Sequence, residues 1–436
     1  MKKIFFKMQS SFCCYENLAE SNFKYFDKIP YGWQSNHLKR FLKKITDGAH
    51  TSPDLSSSDY PFLTVVDLKD GKLDFENCLF TSTNDFMKLV RNGCKPLKDD
   101  VLYSKDGTIS ETVVININSD FVVGSSFIIL RPNLKLIDPR YLSYFLSSST
   151  MRNQAKIYIK GASLPRISIS NVAKLGTVFP PKELQTNLSN FLDNSTSRIN
   201  RRIDLLTNKL RLYEAFKKSL ILETILFGLD KTVNLRSTGI AWAPEIPENW
   251  KMLRLKDVSR ITKGSVFDFD SSSGHIPYLN GGINPSGYSE KSNMPAGVIA
   301  VSEGGASSGY VQFMQTAFWC GAHCYAVFPK TKSKRYLYFC LKAFEHVLMS
   351  LKTGSAMPNL RKSEISNLLI PITDNYQEQS TIADYLDIKT RKADIAINKI
   401  SDQISRLKEL RETLINDVVT GKIKVTQDDN NKGLAA

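Results

Sequence analysis

Leu188-Ser189-Asn190-Phe191-Leu192-Asp193 returns 194 positions later as Ile382-Ala383-Asp384-Tyr385-Leu386-Asp387. Around these hexapeptides lie two long stretches with one apolar residue in every seven. The first carries Leu192, Ile199, Leu206, Tyr213 and Leu220, with Leu210 beside them. The second carries Leu386, Ala393, Ile400, Leu407 and Leu414, with Ile397 and Ile404 beside them. A heptad repeat held over five turns of the pattern is a coiled-coil signature. Neither Pro nor Gly interrupts 183–227 or 377–420, so helices of about 66 Å are expected at 1.5 Å per residue. Gly228 and Gly421 stand where a left-handed cap ends a helix. The segment 229–245 spans at most about 58 Å when extended. A parallel pair would need the chain to run back along the whole helix, so the expectation is an antiparallel pair.

Working outward, the repeat encompasses most of the chain. Ile29-Pro30-Tyr31-Gly32-Trp33 precedes Leu38-Lys39, and 217 positions on Ile246-Pro247-Glu248-Asn249-Trp250 precedes Leu255-Lys256. Gly161-Ala162-Ser163-Leu164-Pro165 is matched by Gly354-Ser355-Ala356-Met357-Pro358. Between these matches the halves diverge into strand-like runs, Tyr60–Val66, Glu111–Ile117 and Phe127–Leu130 in one and Gly297–Val301 and Tyr325–Phe328 in the other, separated by Gly, Ser, Asn and Pro turns. Short helices are expected over 140–147 and 335–351. The fold class is α+β: two tandem mixed β-rich domains joined by two long helices in an antiparallel coiled coil, a pseudo-two-fold internal repeat. The boundaries are an N-terminal arm 1–28, a first domain 29–181, a helix 182–228, a linker 229–245, a second domain 246–375, a helix 376–421 and a tail 422–436. A shared frame with divergent inserts implies one scaffold serving two ligands.

The 436 residues are 42% hydrophobic and 23% charged, a globular composition, with a net charge of +15. Residues 29–181 carry 19 basic and 14 acidic side chains, and residues 246–375 carry 14 and 9. The two β-rich domains therefore hold two-thirds of the surplus, which points to a polyanion, nucleic acid first. No apolar run is long enough to span a bilayer or to act as a secretory signal. Seven cysteines without a disulfide framework suit a reducing, cytoplasmic setting.

Motifs for catalysis are scarce. The chain lacks a dinucleotide fingerprint, a phosphate loop, an H-E-x-x-H zinc site and the N-P-P-[FY] or D-P-P-Y signature of amino-methyltransferases. Pro53-Asp54 followed by Asp67-x-Lys69 mimics the two carboxylates and lysine of a metal-dependent nuclease. Cys320 and Cys324, with Cys340 and His346, are zinc-ligand types without the usual paired spacing. Neither pattern outweighs turn and core roles for the same residues. Gly-rich loops offer bare amides and small hydroxyls that can approach phosphates and base edges closely. The candidate DNA contacts are His50, Thr51, Lys105, Lys160 and Arg166 in the first domain. In the second they are Lys263, Asn280, Asn284, Tyr288, Ser302, Ser307, Ser308, Lys352 and Asn359. No residue is assigned to catalysis or to a metal.

The ordered set of Ile-Pro-x-x-Trp entries, Thr46-Asp47-Gly48-Ala49-His50, Lys105-Asp106-Gly107-Thr108, Asn280-Gly281-Gly282, Ser302-Glu303-Gly304-Gly305-Ala306, Met357-Pro358-Asn359-Leu360 and Leu410-Arg411-Glu412-Thr413-Leu414-Ile415 resembles the specificity subunit of type I restriction–modification enzymes. It does so over about residues 29 to 423. The first half departs in having Leu164-Pro165-Arg166 opposite Met357-Pro358-Asn359. The resemblance implies a non-catalytic subunit of a host-defence system. Each insert would be a target recognition domain reading one half of a bipartite, asymmetric double-stranded DNA site. The coiled coil would set the gap and dock two modification (methyltransferase) subunits, which restriction (translocase/nuclease) subunits join. It implies no cofactor in this chain; S-adenosylmethionine, ATP and Mg²⁺ would belong to the partners. A stand-alone metal-dependent endonuclease and a coiled-coil scaffold that binds only protein are the alternatives.

Overall fold

The structure, a computed structural model, describes residues 14–69, 71–161, 165–267, 274–351 and 359–426. The chain divides into two compact units, residues 1–205 with 403–436, and residues 206–402. Each unit therefore holds one β-rich domain, part of one long helix and part of the other.

In the first unit a four-stranded antiparallel sheet runs Thr112–Val114, Val101–Ser104, Phe127–Pro132, Leu42–Asp47. A three-stranded sheet runs Val122–Val123, Tyr60–Leu63, Leu79–Thr81. Strands such as Phe127–Pro132 are almost wholly buried, which explains the unbroken apolar run Phe127–Leu130. The helix Pro139–Ser147 starts with proline at its first turn and with the Asp138 carboxylate accepting the Arg140 and Tyr141 amides. It turns Tyr141, Leu142, Phe145 and Leu146 into the core. There they meet Leu188, Phe191 and Leu192 of the first long helix, and Leu414, Val418 and Val419 of the second.

The second unit repeats this plan. Its four-stranded sheet runs Ser259–Lys263, Cys324–Pro329, Val298–Ser302, Val311–Met314, and its three-stranded sheet runs Gly287–Ser289, Ile276–Leu279, Trp319–Cys320. The inserts that diverge in sequence thus share one sheet topology. Its core takes Ile221, Ile225 and Leu226 from the end of the first long helix, and Ile382, Ala383 and Leu386 from the start of the second.

The long helices are Lys182–Phe227 and Tyr376–Val419. Each unit holds a polar contact across the pair: Arg411 Nη1 donates to Asn200 Oδ1 at 2.6 Å, and Lys217 pairs with Asp394. From Asn200 to Lys217 the first helix advances 17 residues, while the partner falls back 17, from 411 to 394. The helices run antiparallel, and the two contacts are counterparts at the 194-residue offset. Leu192, Ile199, Leu386, Ile400 and Leu414 are buried; Leu206, Leu210, Tyr213, Leu220, Ile397, Ile404 and Leu407 are half-buried. Leu192, Ile199 and Leu414 belong to the first core and Leu386 to the second, and the half-buried Leu220, Ile404 and Leu407 pack against those cores from outside; a two-helix seam by itself shields only one face. Gly228 (φ 69°) and Gly421 (φ 74°) end the helices in the left-handed conformation.

Three local features add detail to the expected organisation. Within the N-terminal arm, Leu18–Glu20 pairs with Lys28–Pro30, aligning Leu18 with Pro30. Within the linker, Leu235–Ile240 pairs with Ala243–Pro247, aligning Leu235 with Pro247. Both hairpins put the same frame in place, since the Tyr31 amide donates to Asn17 O and the Glu248 amide to Asn234 O. The expected helix over 335–351 is two, Lys334–Ala343 and Glu345–Ser350, broken at Phe344. No helix among the described residues is long and apolar enough to cross a membrane.

Candidate nucleic-acid interface

In the first domain the candidate residues gather at the ends of Leu42–Asp47 and Val101–Ser104, the two strands that flank Phe127–Pro132. Asp47 ends one and Lys105 follows the other; their side chains pair, with Lys105 Nζ on Asp47 Oδ2 and Lys105 buried. His50 Nε2 sits 2.8 Å from the same oxygen, with most of its imidazole exposed. One residue on, Asp106 receives Arg166 in a two-pronged pair, Nε–Oδ1 2.7 Å and Nη2–Oδ2 3.1 Å. Lys160 and Arg166 exchange both backbone hydrogen bonds, and the Ile167 amide donates to Lys105 O. His50, Lys105, Lys160 and Arg166 are therefore brought together, while Thr51 lies exposed on the loop that follows. Lys160 and Arg166 are exposed. The Lys105 ammonium is held by the Asp47 carboxylate, whose side chain is 14% exposed.

The second domain assembles its candidates at the corresponding strand ends. Ser302 and Ser307 both donate to Gly281 O, and Gln312 Nε2 donates to Gly282 O at 3.2 Å. Asn280 Oδ1 accepts the His323 amide at 3.1 Å, leaving the imidazole exposed. Gly304 bridges to Asn359, and Asn359 Oδ1 would lie 2.7 Å from any Cβ at Gly304, so only glycine lets that amide approach. Lys263 Nζ is 2.8 Å from Glu303 Oε1, and the Tyr325 hydroxyl donates to the same oxygen at 2.8 Å. Burial, with the Glu303 carboxylate adding to it, pushes the Tyr325 hydroxyl well above its ordinary pKa and keeps it a donor. Ser308 is buried and donates to Glu303 O. Ser302 and Ser308 thus spend their hydroxyls on loop carbonyls, and Lys263 on a carboxylate. Asn284 and Tyr288 are exposed on the turn and strand beyond Gly282. Lys352 and the Gly354–Pro358 run lie outside the described residues.

Sequence reading missed Asp47, Asp106, Glu303, His323 and Tyr325, which organise these loops. Asp47, Asp106 and Glu303 stood inside the quoted motifs, but nothing local marked them as partners of the neighbouring cations.

The two decoy patterns have structural occupations. Asp67 is buried and receives the Thr64 amide and hydroxyl, while Asp54 is exposed and receives Ser56. Cys320 and Cys324 belong to one buried cluster and Cys340 to another. A hydrogen bond with Cys320, and then burial, raises the Cys324 thiol pKa, and burial raises that of Cys340, which disfavours the thiolate zinc requires. No group of three or more His, Cys, Asp or Glu among the described residues could hold a metal ion.

Two copies of one β-rich frame, differing in their loops and carried on an antiparallel helix pair, define a paired recognition scaffold. The type I restriction modification DNA specificity domain matches the chain twice, over residues 30–208 and 247–406, and the chain belongs to that family. It is 28% identical over 177 residues to a putative type I specificity subunit of Mycoplasma pneumoniae, covering 39% of this chain and 46% of that protein. It is 23% identical over 435 residues to the putative type I restriction enzyme MjaX specificity subunit of Methanocaldococcus jannaschii, covering 93% and 97%. A chain solved in a study of complex assembly and conformational transition of the type I R-M system shares the fold, with a TM-score of 0.65 at 16% identity, covering 91% of this chain and 99% of that one.

Proposed function

We propose that this chain is the non-catalytic, DNA-reading subunit of a type I restriction–modification complex. Each β-rich domain reads one half of a bipartite, asymmetric double-stranded site. The observation that carries this is the repetition of one backbone frame with different loop chemistry: Asp47, Lys105, Asp106 and Arg166 in one domain, Lys263, Glu303, Gly304 and Asn359 in the other. A duplicated frame gives two similar footprints, and unlike loops give unlike half-sites. Lys160, Arg166 and Asn359 border the loops on the side proposed to meet DNA, with the exposed His50, Thr51 and His323.

The antiparallel helices set the unread gap between the half-sites and dock two methyltransferase subunits, which the restriction subunits join. Supporting the docking role, Leu212, Phe216, Ile388 and Ile395 of the helix pair in the second unit are large, apolar and exposed. S-adenosylmethionine, ATP and Mg²⁺ belong to those partners on this reading. The test is to map methylated adenines in the genome of cells carrying the complete system. A single asymmetric motif with two specified halves and a fixed unspecified gap is expected. Methylation without sequence preference, or a mobility shift on DNA that no added methyltransferase subunit alters, would contradict it.

A further inference from the structure

Each of the two domains is closed by an ion pair at the same node, and the polarity of the pair is reversed between them. The backbone establishes the equivalence. The Gly48 amide donates to Phe127 O at 3.1 Å, as the Gly264 amide donates to Cys324 O at 2.9 Å. The Lys105 amide donates to Ser126 O and the Glu303 amide to His323 O, both at 2.9 Å. The Ile167 amide donates to Lys105 O at 3.0 Å, as the Leu360 amide donates to Glu303 O at 2.8 Å. Asp47 and Lys263 therefore hold one position, each directly before the close-approach glycine, and Lys105 and Glu303 hold the other. The first domain writes the pair as acid–base and the second as base–acid.

Phosphate binding cannot account for this pattern, because an acid would then occupy each site in one of the two domains. What the domains share is complementarity across the node. Each carboxylate also takes a second donor, His50 in one case and Tyr325 in the other. The Asp47, Lys105 and Glu303 side chains are 14%, 7% and 10% exposed, so three of the four charges are withdrawn from solvent.

We propose that Asp47–Lys105 and Lys263–Glu303 are interchangeable positioning pairs. Each locks three chain segments — in the first domain the loops after Asp47 and after Lys105, and the segment of Arg166 and Ile167 — into the geometry that reads bases, and Lys105 makes no phosphate contact. This rests on the DNA-reading role proposed above.

The test uses the full chain assembled with its methyltransferase subunits and a DNA duplex that this assembly, with the chain unaltered, selects from a random-sequence pool. Lys105→Met should lower affinity for that duplex at least tenfold and blur base preference in one half-site only. The slope of log K against log [salt] should stay unchanged. Asp47→Lys combined with Lys105→Glu, which gives the first domain the second domain's polarity, should restore affinity to within about threefold, although each of those substitutions alone should be worse than Lys105→Met. A Lys105→Met slope shallower by about one unit with base preferences intact is the signature of one lost phosphate contact and would overturn the proposal. So would a folded double variant no better than the singles. Should Lys105→Met fail to fold, the double variant decides: recovery of folding and selection supports the node, and its absence refutes it. Should the assembly with the unaltered chain select no sequence, the DNA reading falls, and thermal melting still judges the pair by whether the double exchange recovers what the singles lose.

Discussion

Replacing each helix-ending glycine by alanine separates backbone strain from packing at the junction of helix and domain. Gly421 and Gly228 have nearly the same left-handed φ, 74° and 69°. Alanine should pay the same conformational penalty at both, about 1–2 kcal/mol. Their surroundings differ. A Cβ at Gly421 would lie 2.6 Å from Cγ and Cδ of Pro30 and 3.1 Å from the Trp33 ring, whereas at Gly228 the nearest atom, in the Trp250 ring, is 3.3 Å away. The Pro30 ring sits in the hairpin with Leu18–Glu20 and cannot swing aside. Gly421→Ala should therefore add about 1–3 kcal/mol of overpacking, which Gly228→Ala largely escapes. With about 2–4 °C per kcal/mol for units of this size, Gly421→Ala should lower the first unit's transition by about 4–20 °C and Gly228→Ala the second's by about 2–8 °C. Differential scanning calorimetry of the full chain reads both. Equal shifts, or a larger one for Gly228→Ala, would refute the reasoning that the end of the second long helix is wedged against the Pro30–Trp33 corner.

DNA affinity should fall steeply with salt, since both β-rich domains are net basic; a log–log slope shallower than about −2 would count against two domains gripping DNA together. Inserting seven residues at matching points of both long helices, after Leu206 and after Ile400, keeps the heptad phase and adds about 10 Å, close to three base pairs. Methylation mapping should then show unchanged half-sites and a longer gap, and altered half-sites with an unchanged gap would reject the ruler. Maleimide should label the exposed Cys14 in the native chain while Cys78, Cys94, Cys320, Cys324 and Cys340 stay protected until denaturant is added; early labelling at Cys324 or Cys340 would show that their clusters open easily.

The parts legible in the sequence are those whose physics is periodic or local. Leu192 to Leu220 and Leu386 to Leu414 announce their helices because a seven-residue repeat serves one purpose. The runs Phe127–Leu130 and Cys324–Phe328 show because burial on both faces of a strand demands unbroken apolar residues. The hairpin at Leu18–Glu20 was hidden by its length, although Asn17-Leu18 and Asn234-Leu235 keep the 217-residue offset and would have revealed it. The roles of Lys105 and Lys263 were illegible for a different reason. Their carboxylates lie 58 and 40 residues away along the chain, and a lysine beside a glycine-rich loop reads alike whether it meets phosphate or Asp47.

The first unit contains residues far apart in the order of synthesis. The Tyr141 hydroxyl donates to Val419 O across 278 positions, and Thr150 to Asn416 Oδ1 across 266. The second unit is one uninterrupted stretch, 206–402. On the ribosome the domain made first must therefore wait for the last turns of the second long helix, about 10–50 s at ordinary elongation rates. Throughout that interval its Tyr141 and Phe145 face is left to chaperones or to another chain's helix. The domain made second can close before it. A stop codon just beyond residue 402 would spare the later half of the protein and cripple the earlier one.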